Sequence, residues 1–141
     1  MRKIFGRKQK QSGHYDDLPD YVSELPQTTT DKIMQLFLSI SSLTERLQQY
    51  QTQRRLKESR QNTDEILDIL HNELNVANSI ERKYRKIKSY FTSIKQKNKE
   101  LSTEILDHIQ QKNIMINKEI ETIHQRQRYL ISLIENKNRN Q

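Results

Sequence analysis

The sequence has 141 residues, of which 32% are hydrophobic and 30% charged, so it is of single-domain size yet short of apolar surface for a globular core. Its formal charge of +7 and pI near 9.6 suit an anionic partner: nucleic acid, an anionic membrane surface or an acidic protein. The absence of cysteine excludes a disulfide framework, a thiolate metal site and a cysteine nucleophile.

No run of about 18 apolar residues indicates a membrane span, and the first residues lack the apolar stretch of a secretory signal. A cytoplasmic protein is expected, peripheral on a membrane if it meets one. Gly6, Gly13, Pro19 and Pro26 are the only glycines and prolines. The long remainder therefore carries neither common breaker of regular structure, and its Leu, Ile, Lys, Glu, Gln and Arg favour an all-α body.

Residues 1–29 read as a flexible, disordered arm in two charge blocks. Block 1–10 sets Arg2, Lys3, Arg7, Lys8 and Lys10 around Ile4 and Phe5, the composition of a membrane anchor whose cations each contribute about 1 kcal/mol near anionic lipid. The plainer reading is a solubilising tail. Block 15–25 carries Asp16, Asp17, Asp20 and Glu24 among scattered apolar residues, and the two blocks are able to attract each other. Tyr15 and Tyr21 in this block sit in short segments suited to docking or phosphorylation, patterns that chance also supplies often.

After Pro26, Thr28 and Asp31 have capping-box spacing, so helix 1 is expected over about 30–58. Ile33, Leu36, Ile40, Leu43, Leu47 and Tyr50 step by three and four along one stripe that ends at Arg54. The following segment is polar until Asn62-Thr63-Asp64-Glu65, a fresh helix start. A turn near 58–63 would set Arg54, Arg55 and Lys57 against Asp64, Glu65 and Asp68, and the fold predicted is an elongated antiparallel helical hairpin or coiled coil. An unbroken rod is the counter-reading.

Helix 2 is expected over about 63–136. Ile66, Leu70, Ala77, Ile80, Tyr84, Ile87, Phe91, Ile94, Leu101 and Ile105 keep heptad spacing, with Glu73 and Asn98 as polar exceptions. Asn98 on that stripe suits a register-setting amide or a kink. Past Ile105 the frame slips through Ile109 and resumes at Ile116, Ile120, Ile123, Gln127, Leu130 and Ile134, a change that alters supercoiling or marks a break. A break near 96–102 or 106–112 would convert the hairpin into a three-helix bundle. Residues 137–141 form a polar tail.

None of His14, His71, His108 and His124 stands in a metal-helix pattern, and a narrow helical seam offers no convergent pocket. No enzyme, cofactor or metal site is expected. Arg82, Lys83, Arg85, Lys86 and Lys88, followed by Lys95, Lys97 and Lys99, form a basic band interleaved with Tyr84, Tyr90 and Phe91. Such interleaving suits nucleic acid, but Tyr84 and Phe91 fall on the seam and the cations encircle the helix, as on a solvated coiled coil.

Phe5-Gly6-Arg7-Lys8, followed by a helix containing Leu47-Gln48-Gln49-Tyr50-Gln51, resembles the beginning of ESCRT-III subunits of the charged multivesicular body protein type. The resemblance spans under half of the chain and implies a basic, partly apolar N-terminus before a helical hairpin that polymerises on membranes. The acidic, Pro-containing arm and the absence of a strongly basic first helix and an acidic, motif-bearing tail depart from that pattern.

The function expected from these features is a non-enzymatic coiled-coil assembly subunit, a scaffold, tether or cytoskeletal adaptor whose Ile/Leu stripe meets partner helices or a second copy. The alternatives are a peripheral membrane-remodelling or trafficking protein anchored by residues 1–10, and a nucleic-acid-binding helical protein.

Overall fold

A computed structural model describes residues 27–58, 63–98 and 100–139. These residues form an all-α structure of three helices, α1 (Gln27–Glu58), α2 (Thr63–Lys97) and α3 (Thr103–Arg139). α1 packs on α2, and α2 on α3. Acids open α2 and α3 (Asp64, Glu65; Glu104) and cations close all three helices, matching the partial charges that aligned peptide dipoles leave at helix ends.

Helix starts differ from the sequence reading at α1. Gln27 is already helical, and its Nε2 donates to Asp31 Oδ1 at 3.0 Å, while Thr28 is an exposed residue of the helix. Thr30, the expected starting position, lies within the helix and is buried. The turn expected near 58–63, the Asn62 cap, the whole 1–26 arm and the end of the polar tail lie outside the described residues.

The long helix expected over 63–136 is two helices. α2 ends where the Asn98 backbone N–H and Nδ2 both donate to the Ile94 carbonyl, at 3.0 and 3.1 Å. α3 starts on Ser102, whose Oγ accepts from the Ile105 N–H at 3.3 Å and whose carbonyl accepts from the Leu106 N–H at 3.1 Å. A serine acceptor ahead of the first turn is a strong helix-start signal even without glycine or proline. Asn98 is thus a helix-end amide and not a seam amide, and Leu101 is half-buried in the connection.

Two compact units share the three helices. Unit 1 holds the described residues up to Ser41 together with Lys83–Asn117, and unit 2 holds Ser42–Arg82 with the described residues from Lys118 onward. In unit 1, Ile33, Met34, Phe37 and Ile40 of α1, Tyr84, Ile87, Phe91 and Ile94 of α2, and Ile105, Ile109 and Ile116 of α3 are buried. In unit 2 the buried apolar set includes Leu47, Ala77, Ile80, Ile120 and Ile123, and a cluster of Ile66, Leu70, Leu130 and Ile134 flanked by Leu67, Leu74 and Leu133. Within unit 2, contacts of α1 with α2 run from Arg54–Glu73 to Lys57–Glu65, an antiparallel progression. α2 and α3 are likewise antiparallel, joined by Glu73–Arg126 and by Ile66 and Leu70 against Leu130 and Ile134.

Candidate functional site: a charged layer among the helices

The stripe read from the sequence becomes the interior of this chain. Of its residues, Ile33, Ile40, Leu47, Ile66, Leu70, Ala77, Ile80, Tyr84, Ile87, Phe91, Ile94, Ile105, Ile116, Ile120, Ile123, Leu130 and Ile134 are buried, while Leu36, Leu43 and Leu101 are half-buried. The chain's own helices cover the seam assigned to partner helices. On α1 the inner line runs through Phe37 in place of Leu36, because the burial maximum lies one residue further round the helix.

Charged residues occupy the same inner faces. Glu73, which stands on the α2 heptad line, is completely buried in unit 2. Its Oε2 accepts from Arg54 Nε at 2.6 Å and its Oε1 from Arg54 Nη2 at 3.3 Å, a two-pronged guanidinium–carboxylate contact. Arg126 Nη2 of α3 lies 3.8 Å from Glu73 Oε1 and donates to Gln51 Oε1 at 2.8 Å. Arg54 also reaches Glu58 Oε1 at 3.4 Å. Each helix therefore supplies a charge to one layer, with one buried carboxylate between two guanidinium groups.

Desolvation by burial works to lower the Arg54 pKa, but the hydrogen bond and charge of Glu73, with Glu58 assisting, more than offset it and raise the value above that of a free guanidinium. Arg54 is cationic throughout the accessible pH range. An isolated buried ion would cost several kcal/mol, so the layer is tolerable only with its partners in register.

A second polar set on α2 and α3 of unit 2 flanks this layer. Gln127 Nε2 donates to Asn78 Oδ1 and Glu81 Oε1, both at 2.9 Å, and Glu81 Oε2 lies 3.0 Å from His124 Nε2. In unit 1 the interior charge is Lys112, which fills the α3 stripe between Ile109 and Ile116 and places Nζ 6.0 Å from the centre of the Phe37 ring.

Outside the interior, Arg82, Arg85 and Lys86 of the basic band are exposed and Lys83 and Lys88 half-buried. Lys88 Nζ donates to Asn117 Oδ1 at 2.6 Å, and Lys86 stands 5.4 Å over the Tyr90 ring. The band is brought to a helix surface and is not gathered into a pocket. An open hollow on α1, lined by Glu45, Gln48, Gln49, Thr52 and Gln53, is likewise a solvent face without a buried titratable group. Among the described residues, no group of three or more His, Asp or Glu is placed to hold a metal ion, and no helix is long and apolar enough to cross a membrane. The candidate anchor Arg2, Lys3, Ile4, Phe5, Arg7, Lys8 and Lys10 lies outside the described residues.

The sequence sets Arg54 against Asp64, Glu65 and Asp68 and marks Glu73 only as a polar interruption of the α2 stripe; in the structure Lys57 meets Glu65, whereas Arg54 pairs with Glu73. Their opposite charges at facing stripe positions were the available signal, once the hairpin turn between them is assumed. Comparison with protein-family models, curated proteins and solved structures finds no match for this chain.

Proposed function

We propose that the chain is a non-enzymatic helical assembly subunit, a scaffold, tether or cytoskeletal adaptor within a larger protein complex. The observation that carries this reading is a set of apolar side chains left outside a completed interior. On unit 2, Leu56 is 63% and Tyr129 55% exposed, with Ile131 also exposed, although the inner faces of all three helices are filled. Tyrosine and large aliphatic side chains are the residues that anchor protein contacts when a second surface covers them. The charged layer supports the same reading, because paired ions at seam positions fix helix register and keep the outer faces in a defined arrangement.

The test is native purification of the full chain with the stoichiometry of whatever remains bound, repeated with Leu56→Asp and Tyr129→Asp. Fixed-ratio recovery of a partner that both substitutions abolish, with helicity and unfolding midpoint unchanged, supports the proposal. A chain that stays monomeric and partner-free overturns it.

A second reading has an anionic membrane or nucleic acid as the partner, favoured by exposed Arg82, Arg85, Lys86, Lys95 and Lys97. It requires affinity that falls steeply with salt. For the membrane-remodelling form, Ile4→Asp with Phe5→Asp must release the chain from anionic vesicles.

A further inference from the structure

Charge is sorted between the helices of unit 1. From Lys83 to Lys97, α2 carries cations and no acid. Asp31 is the only acid that α1 brings to this unit, and it accepts from Gln27. The start of α3 is the reverse: from Thr103 to Asn117 its acids are Glu104 and Asp107, and its only lysine or arginine is the buried Lys112.

The cations of α2 fall on two edges. Lys86 Nζ stands 5.4 Å and Lys32 Nζ of α1 6.0 Å from the centre of the Tyr90 ring, which places Lys86 and Tyr90 on the edge that faces α1. A step of seven residues falls only about 20° short of two full turns, so Lys83 and Lys97 on either side of Tyr90 share that edge. Lys88 lies on the other edge, bonded to Asn117 of α3, and Lys95 goes with it by the same spacing. Lys32, Lys86 and Lys97 are exposed and form, with Tyr90, a basic edge between α1 and α2. In unit 2 the α1–α2 edge is neutralised, because Lys57 of α1 meets Glu65 of α2 at 2.7 Å. In unit 1 neither helix supplies such an acid.

We propose that the outer face of the start of α3, in a second copy of this chain, docks on this basic edge. Glu104, Asp107, Gln111 and Ile114 step by three and four along one side of α3, and all are exposed, Ile114 at 49%. Two carboxylates one turn apart thus meet the two ammonium groups that Tyr90 gathers from two helices, while Ile114 leaves water against the aliphatic stems of lysines. The inner face of α3 is already occupied within its own unit through Ile105, Ile109 and Ile116, so its outer face can reach only the basic edge of another copy. The two surfaces differ, each copy carries one of each, and copies therefore add head to tail. Tyr90 is half-buried with a cation on its ring, which disfavours stacking on a nucleic-acid base. No exposed apolar side chain stands among Lys32, Lys83, Lys86, Tyr90 and Lys97 to enter a lipid interface.

The contact deepens the assembly reading, on which it rests, by naming one partner on a surface separate from Leu56 and Tyr129. Sedimentation equilibrium of the full chain tests it. The average mass is expected to rise with concentration above the monomer's 17.0 kDa and to fall back as salt screens the contact. Lys32→Glu with Lys86→Glu, and separately Glu104→Lys with Asp107→Lys, are each expected to weaken self-association by about tenfold or more. All four substitutions in one chain leave the net charge at +7 and are expected to restore it. Circular dichroism on each variant verifies that helicity is intact.

A wild type that stays at 17.0 kDa at every concentration overturns the proposal, as does failure of the fourfold exchange to recover what each pair removes. If that monomer still retains another protein at fixed ratio, this inference falls and the assembly reading stands. A chain that remains monomeric and binds phosphatidylserine vesicles or single-stranded DNA through Lys86 and Lys97 also overturns it, giving the edge to an external anion.

Discussion

Glu73 is buried at 0% exposure and Arg54 Nε donates to it across 2.6 Å, so two residues 19 positions apart fix how α1 meets α2 in unit 2. Removing Arg54 alone leaves a carboxylate without its closest compensating charge. Arg54→Ala is expected to destabilise the chain by about 3–5 kcal/mol, while Arg54→Met with Glu73→Leu recovers most or all of that loss. Urea unfolding of the wild type, Arg54→Met, Glu73→Leu and the double variant measures the coupling. Additive losses would show that the pair acts as two independent side chains.

The pH dependence of this pair follows from the raised Arg54 pKa. A basic group whose pKa is higher in the folded than in the unfolded chain binds its proton more tightly when folded. Its contribution is complete below the unfolded value and is lost only as pH rises through the higher folded value. The stability difference between wild type and Arg54→Met is therefore expected to stay flat from about pH 8 to about pH 11. A decline within that window, measured by urea unfolding at each pH, would mean that Arg54 titrates earlier than its environment dictates.

The helical class and most inner faces were legible because a 3.6-residue period shows directly in α2 and α3, where Ile80, Tyr84, Ile87, Phe91 and Ile94 all became interior. Three features were not. Phe37 displaced Leu36 because two adjacent apolar residues satisfy a stripe equally well until the neighbouring helix selects one. The α2–α3 break was legible only as an alternative, near 96–102, because no glycine or proline marks it and the apolar stripe runs on through Leu101 and Ile105. The Arg54–Glu73 layer was hidden because charge on an apolar stripe reads as an interruption, and only the partner helix turns it into a contact. The same limit applies to Lys112, which continued the stripe exactly where the apolar frame slipped.

Ser102 provides a local test of the break between α2 and α3. Its Oγ accepts from the Ile105 N–H, satisfying one of the donors that every helix start leaves without an intrahelical partner. Ser102→Ala is expected to cost about 1 kcal/mol, and Ser102→Asp to retain stability through its own acceptor and the helix dipole. Thermal unfolding of the two variants checks both. Equal loss in Ala and Asp would indicate that the hydroxyl is not the group that starts α3.

The last expectation separates interior from exterior on unit 2. Leu130 is fully buried in the cluster with Ile66, Leu70 and Ile134, whereas Leu56 is 63% exposed. Leu130→Ala removes apolar atoms from a packed site and leaves a void, at an expected cost of about 3 kcal/mol. Leu56→Gln removes nothing from that interior and is expected to change stability by less than about 0.5 kcal/mol. Denaturant titration of the isolated chain gives both values. If Leu56→Gln proved as costly as Leu130→Ala, Leu56 would belong to the folding interior and the proposed partner surface on unit 2 would lose its most exposed apolar residue. A neutral Leu56→Gln that still weakens partner recovery would place its role in assembly, because a side chain that contributes nothing to folding has only a second surface against which to act.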